Sequence, residues 1–141
     1  MYLLDTNVIS ELRKNRPHGA VTSWFAAVDE TGLHIPAIVL GELQAGVEKT
    51  RLQDPPKALE IERWIDRIQR TFAVMEMDGA VFREWARMMA GKPDDLAADA
   101  MIAATARVHH RIVVTRNTKD FAPFHVPVLN PFTGVLHAPR R

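Results

Sequence analysis

Apolar positions in this chain fall into short runs separated by longer stretches of helical periodicity. Tyr2–Leu4 is a compact apolar run closed by Asp5, Thr6 and Asn7, and it predicts a strand leading into a helix. Val21, Trp24, Phe25 and Val28 recur at helical spacing. Leu33–Ile35 predicts a second strand, with Pro36 near the start of the next helix, where its missing N–H costs little. A helix over Ala37–Glu48 places Val39, Leu43 and Val47 on one stripe. Asp54-Pro55-Pro56 breaks the chain, and the helix beyond carries Ile61, Trp64, Ile65 and Ile68. Phe72–Met75 predicts a third strand. Asp78 is placed to cap a helix bearing Val81, Phe82, Trp85, Met88 and Met89, which Gly91-Lys92-Pro93 ends. Asp94 or Asp95 caps an alanine-rich helix running to about His109. Ile112–Thr115 predicts a fourth strand, and Val126–Leu129, interrupted by Pro127, a short edge strand.

Strands alternating with helices imply βαβ units, so the expected class is α/β with a mainly parallel sheet and helices on its faces. The expected organisation is one domain over residues 1–141. In such sheets, sites form outside the carboxyl ends of the strands, and chemistry is sought there.

Composition narrows the function classes. The apolar fraction is 47% and the charged fraction 25%, which suits one globular core. Lys and Arg number 18 against 17 Asp and Glu, so a uniformly basic nucleic-acid coat is excluded, whereas a local basic patch is not. The absence of cysteine removes disulfide scaffolds, thiolate zinc sites and cysteine nucleophiles. No apolar run approaches the roughly 18 residues of a membrane span, and the amino terminus lacks a basic leader, so the expectation is a cytoplasmic protein with no membrane partner.

Three acids interrupt patterns that are otherwise apolar. Asp5 follows Leu3 and Leu4 directly; Glu42 lies between Val39 and Leu43; Asp99 lies three residues after Leu96, on the stripe that includes Ala103. Helical neighbours at i+3 and i+4 share a face, so Glu42 and Asp99 are expected toward the core side of their helices. Carboxylates in such settings are costly unless protonated, paired or metal-bound. Two readings fit the spacing equally: three separate ion pairs with arginines, or one shared divalent cation. For the latter, oxygen ligands without cysteine favour magnesium or manganese over zinc. Thr115, Asn117 and Asp120 lie past the fourth strand, where an ordinary turn uses the same residue types.

Taken together, these segments resemble the PIN-domain ribonucleases, in particular the VapC-like toxins of bacterial type II toxin–antitoxin systems. The matching stretches are Leu3-Leu4-Asp5-Thr6-Asn7-Val8-Ile9-Ser10; Gly41-Glu42-Leu43 with Gly46; Asp99 with Ile102-Ala103-Ala104-Thr105-Ala106; and Val114-Thr115-Arg116-Asn117 with Asp120-Phe121. They stand in the family's order and at its spacing. The closing Val126-Pro127-Val128-Leu129-Asn130-Pro131-Phe132 is similar to the end of the FitB-like branch.

The resemblance implies a three-layer α/β/α sandwich around a mainly parallel sheet. It implies an acidic cluster of Asp5, Glu42 and Asp99 that binds Mg²⁺ or Mn²⁺. Asp5 and Asp99 would be the direct ligands, with Glu42 acting through water or as a general base. Many PIN domains carry Asp where Asn117 stands here; in the VapC-like branch Asp120 is often counted as the fourth acid instead. A neutral Asn117 would weaken a second metal and leaves a one-metal mechanism open. Thr6, Asn7 and Thr115, with Asn117, would orient the carboxylates. The implied activity is hydrolysis of RNA phosphodiesters by the toxin of a VapBC-type system. The implied partners are a cognate VapB- or FitA-like antitoxin, an RNA substrate (transfer RNA is common in the family) and a second copy of the chain. Val39, Leu40 and the helix around Trp64 are apolar positions that the sequence does not divide between core and dimer interface.

Arg116 and Lys119 flank the expected site and are candidates for phosphate contact. Arg63, Arg67 and Arg70 share a helical face that is expected to pair with Glu60, Glu62 and Asp66. His109 and His110 end a helix, where the dipole favours them. Trp24, Trp64, Trp85, Met88 and Met89 fit apolar stripes and read as core or interface. Other function classes fit less well. An aspartate-dependent phosphatase needs a second Asp where Asn7 stands. A receiver domain needs an acidic pair near the first strand and a phosphoacceptor ending a central one. A PIN fold acting mainly through antitoxin and DNA-complex binding, with weak catalysis, has no need of the intact acidic set.

Overall fold

The computed structural model describes residues Met1–Pro139; the last two residues of the expected single domain lie outside the described residues. Six strands form one sheet: β1 (Tyr2–Leu4), β2 (Leu33–Pro36), β3 (Ala73–Met75), β4 (Ile112–Val114), β5 (Val128–Asn130) and β6 (Val135–His137). Their spatial order is β3-β2-β1-β4-β5-β6. All pairs are parallel except β5–β6. The helices are α1 (Thr6–Glu11), α2 (Gly19–Ala27), α3 (Ala37–Arg51), α4 (Pro55–Thr71), α5 (Gly79–Met89) and α6 (Ala97–His109).

β1 is central and fully apolar in its last two residues, because both of its faces are covered: Leu3 and Leu4 are completely buried. From β1 the chain pairs outward to β2 and β3, then returns to the other side as β4. Tyr2 aligns with Leu33 in β2 and with Ile112 in β4. The strand order therefore reverses between β1 and β4, which opens a crevice at their carboxyl ends. Asp5 and Thr115 are the first residues beyond those two ends.

The main core joins Leu3, Leu4, Val8, Ile9, Ile35 and Val39 to Ile102, Ala103, Val113, Val114, Phe121 and Phe124. A smaller cluster of Val47, Ala58 and Ile65 fastens α3 to α4. Above it, Arg51 donates to Glu48 and to Glu62 at 3.0 Å each, and Gln44 reaches Glu62 at 2.8 Å.

Several expectations are corrected. Asp94 and Asp95 do not cap α6; with Leu96 they form a separate 3₁₀ turn, and α6 begins at Ala97 with no side-chain cap. The strand expected over Val126–Leu129 begins after Pro127, whose carbonyl instead accepts the N–H of Val113 at 3.0 Å. It is not the edge, because β6, unanticipated in the sequence, pairs beyond it. Arg63, Arg67 and Arg70 form no salt bridge among the described residues: Glu60 pairs with Lys57 and Glu62 with Arg51. Phe82, expected within an apolar stripe, is 46% exposed and packs edge-on against Trp85.

Candidate metal centre and nuclease site

Asp5 sits where β1 gives way to α1, and its backbone is tied across the crevice: its N–H donates to the Val114 carbonyl at 2.9 Å. Its side chain is buried and caps α1. One oxygen, Oδ1, accepts the Thr6 N–H at 2.7 Å. The other, Oδ2, accepts from the Thr115 hydroxyl at 2.7 Å and from Asn7 Nδ2 at 3.2 Å. Asn7 also donates to Thr115 Oγ1 at 3.1 Å, and its own Oδ1 accepts the Arg116 N–H at 3.0 Å. Thr115 Oγ1 in turn accepts the Asn117 N–H at 3.1 Å. Thr6, Asn7 and Thr115 thus hold the carboxylate in one orientation. Asn117 enters this lattice through its backbone.

Glu42 lies in the second turn of α3, and Thr6 Oγ1 donates to its Oε1 at 3.2 Å. It is exposed, not turned to the core side as its spacing suggests, because its position lies at the margin of the Val39–Val47 stripe. Asp99, in the first turn of α6, is half-buried. Asp120 is exposed in the 3₁₀ segment Thr118–Phe124 after β4. None of these four acids forms an ion pair with Lys or Arg among the described residues. Separate arginine pairs are therefore not how their charge is met.

The charges act on one another instead. Burial, then the charges of Asp5, Asp120 and Glu42, push the Asp99 carboxyl up to about 6. Burial also raises Asp5, against the hydrogen bonds from Thr115 and Thr6, and the Asp120 charge adds to the rise. Glu42, though its side chain reaches solvent, is raised by partial desolvation among its neighbours, against its Thr6 bond, with the Asp5 charge contributing. Four carboxylates from β1, α3, α6 and the segment after β4 thus share one electrostatic neighbourhood.

A hard divalent cation fits this donor set. The ligands are oxygens, the uncompensated charge is negative, and Asp5 is already oriented. Among the described residues, no three His, Asp or Glu side chains are grouped so as to hold an ion by themselves. The Asp5, Glu42 and Asp99 set expected to bind a cation is therefore not drawn together into a ready-made cage, and the fit is one of donor chemistry and charge.

Two parts of the site were not foreseen. Glu11, at the end of α1, is buried and accepts from Lys14 at 2.7 Å and from the His18 N–H at 2.9 Å. Phe132 lies under Arg116, whose guanidinium carbon is 4.6 Å from the ring centroid. The i,i+3 spacing of Glu11 and Lys14 signals their pair, whereas nothing local signals the second contact. Lys119 is exposed and lines a cavity with Phe121, Val128 and His137, without an ion pair to any of the four acids among the described residues. Among the described residues, no helix is long and apolar enough to cross a membrane.

Known proteins are similar to this chain in sequence and fold. The Toxin FitB of Neisseria gonorrhoeae is 35% identical over 94% of this chain and 99% of its own length. A VapC ribonuclease of Sinorhizobium fredii is 34% identical over 94% of this chain and 98% of its own. The structure of FitAB bound to an IR36 DNA fragment superposes on all of this chain, and 99% of its counterpart, with a TM-score of 0.80 and 31% identity. The PIN domain model matches residues 2–124. On the PIN domain match over most of its length and these relatives, the chain belongs to the PIN-domain family.

Proposed function

We propose that this chain is a metal-dependent endoribonuclease that hydrolyses RNA phosphodiesters as the toxin of a VapBC-type toxin–antitoxin system. What carries the reading is that Asp5 stands at the β1–β4 switch point, that its charge reaches Glu42 and Asp99, and that none of Asp5, Glu42, Asp99 and Asp120 has a basic partner among the described residues. Relatives named as a toxin and as a ribonuclease, similar over nearly their whole length, support it.

Asp5 and Asp99 would hold Mg²⁺ or Mn²⁺, with Glu42 reached through water. Such an ion, when bound, supplies a water of lowered pKa and a Lewis-acid contact for a phosphoryl oxygen. The chain's own groups do the rest. Thr115, Thr6 and Asn7 keep Asp5 from rotating away. Glu42, with Oε1 engaged by Thr6, has Oε2 available to take a proton from water. Arg116 and Lys119 meet the phosphates on either side of the reacting one. An inhibitory antitoxin would close this crevice, and a second copy of the chain would complete the assembly.

The test is cleavage of total bacterial RNA by the purified protein. Asp5→Asn or Asp99→Asn is expected to abolish cleavage while leaving the circular dichroism spectrum intact. EDTA is expected to do the same, with recovery on adding Mg²⁺ or Mn²⁺. Parent-rate cleavage by either variant, or in chelator, would overturn the proposal.

A further inference from the structure

The PIN domain match ends at residue 124, before the hairpin of β5 and β6. That hairpin has a tightly defined turn. The Asn130 carbonyl accepts the N–H groups of Thr133 (3.3 Å) and Gly134 (2.8 Å). Asn130 Oδ1 accepts the Phe132 N–H at 2.9 Å, and Gly134 takes φ +77°, a conformation glycine adopts without strain. The turn fixes where the Phe132 ring stands.

Arg116 lies over the face of that ring, while His18 packs edge-on against it with centroids 5.2 Å apart and planes at 67°. Glu11 anchors the loop that carries His18 by accepting its N–H, and its carboxylate lies within electrostatic reach of Arg116. The Arg116 backbone is secured separately, through Asn7, to the same Asp5 Oδ2 that Thr115 contacts. Main chain and guanidinium are therefore both fixed relative to the carboxylates. Arg116 forms no salt bridge among the described residues.

Stacking occupies the plane of a guanidinium, whereas phosphate binding uses its N–H edge, so the two contacts are compatible. A solvated arginine loses rotamer freedom when it meets a phosphate; one already resting on an aromatic face has lost much of it beforehand. We infer that Phe132 is a positioning residue for RNA binding: it holds the Arg116 guanidinium ready for a backbone phosphate beside the acidic cluster. The hairpin beyond the family match thereby becomes part of substrate recognition. The inference rests on the nuclease reading above.

The experiment compares Phe132→Ala, Phe132→Leu, Phe132→Tyr, Arg116→Ala and the Phe132→Ala/Arg116→Ala double variant. It reads the affinity for a fluorescent single-stranded oligoribonucleotide of mixed sequence across a salt series, and kcat and KM on total bacterial RNA. Phe132→Ala and Phe132→Leu are expected to weaken binding and raise KM about three- to tenfold, with kcat little changed. Phe132→Tyr, which keeps the ring face, is expected to restore parent values. The double variant is expected to match Arg116→Ala, whose salt slope falls by about one. Parent-like affinity in folded Phe132→Leu, or additive losses in the double variant, would overturn the positioning role while leaving the nuclease reading standing. A parent protein that neither binds nor cleaves RNA would overturn that reading, and this inference with it.

Discussion

At the scale of residues, Asp99 carries the effect of confining like charges. Its carboxyl titrates at about 6 in the folded protein against 3.8 in the unfolded chain. Across that window the folded state holds a proton that the unfolded chain has released, so this group's contribution to stability falls as pH rises. The penalty is fully in place at neutral pH. Asp99→Asn is therefore expected to stabilise the metal-free protein above neutrality, by of the order of 1 kcal/mol once solvent screening is allowed for, and to make no difference well below the unfolded value, at about pH 2–3. Thermal melts of parent and variant across pH check this; a gap that does not widen with pH would refute it. Asp5 and Asp99 stood out in the sequence because an acid in an apolar pattern needs a reason, and both are at least half-buried; Glu42 stood out on the same ground, yet its side chain is exposed. Thr6, Asn7 and Thr115 were legible only through their place in the family motifs. Phe132 was not, because its contact with Arg116 depends on a turn that brings two distant segments together.

At the scale of elements, α3 and α4 form a unit with its own apolar seam. Ile65 is almost fully buried against Val47 and Ala58, away from the acidic crevice. Ile65→Ala is expected to lower stability by about 2–4 kcal/mol in chemical denaturation, with an unchanged m-value and unchanged RNA cleavage under native conditions. A loss of cleavage in the folded variant would mean that this seam also shapes the site. Helices with long periodic stretches, such as α4, were readable from pattern alone. β6 was not: its three residues are exposed, so no burial pattern marks them, and only pairing with β5 defines them as a strand. The start of α6 differs from its expected place for a related reason. Two consecutive aspartates look like caps, yet Pro93 and the 3₁₀ turn after it place them one element too early.

At the scale of the whole molecule, four elements deliver carboxylates to one edge of the sheet, so the fold stores electrostatic repulsion that a cation would relieve. Adding millimolar Mg²⁺ is expected to raise the melting temperature, and to raise it more at pH 8 than at pH 5, where Asp99 is protonated and competes with the ion. An equal shift at both pH values would argue against binding at these carboxylates. The α/β class and the parallel sheet were evident from alternating periodicities. The order of its strands was not, since periodicity says nothing of which strands are neighbours. That order has a kinetic consequence. The Thr115–Asp5 bond joins residues 110 positions apart, and it exists only once β4 has docked against β1. Closing so long a loop is slow compared with forming the helices between. In refolding, the proposed nuclease activity is expected to lag behind helical signal, and an intermediate lacking the central pairing is expected to show none of it. The crevice that holds Asp5 is thus complete only when the sheet is.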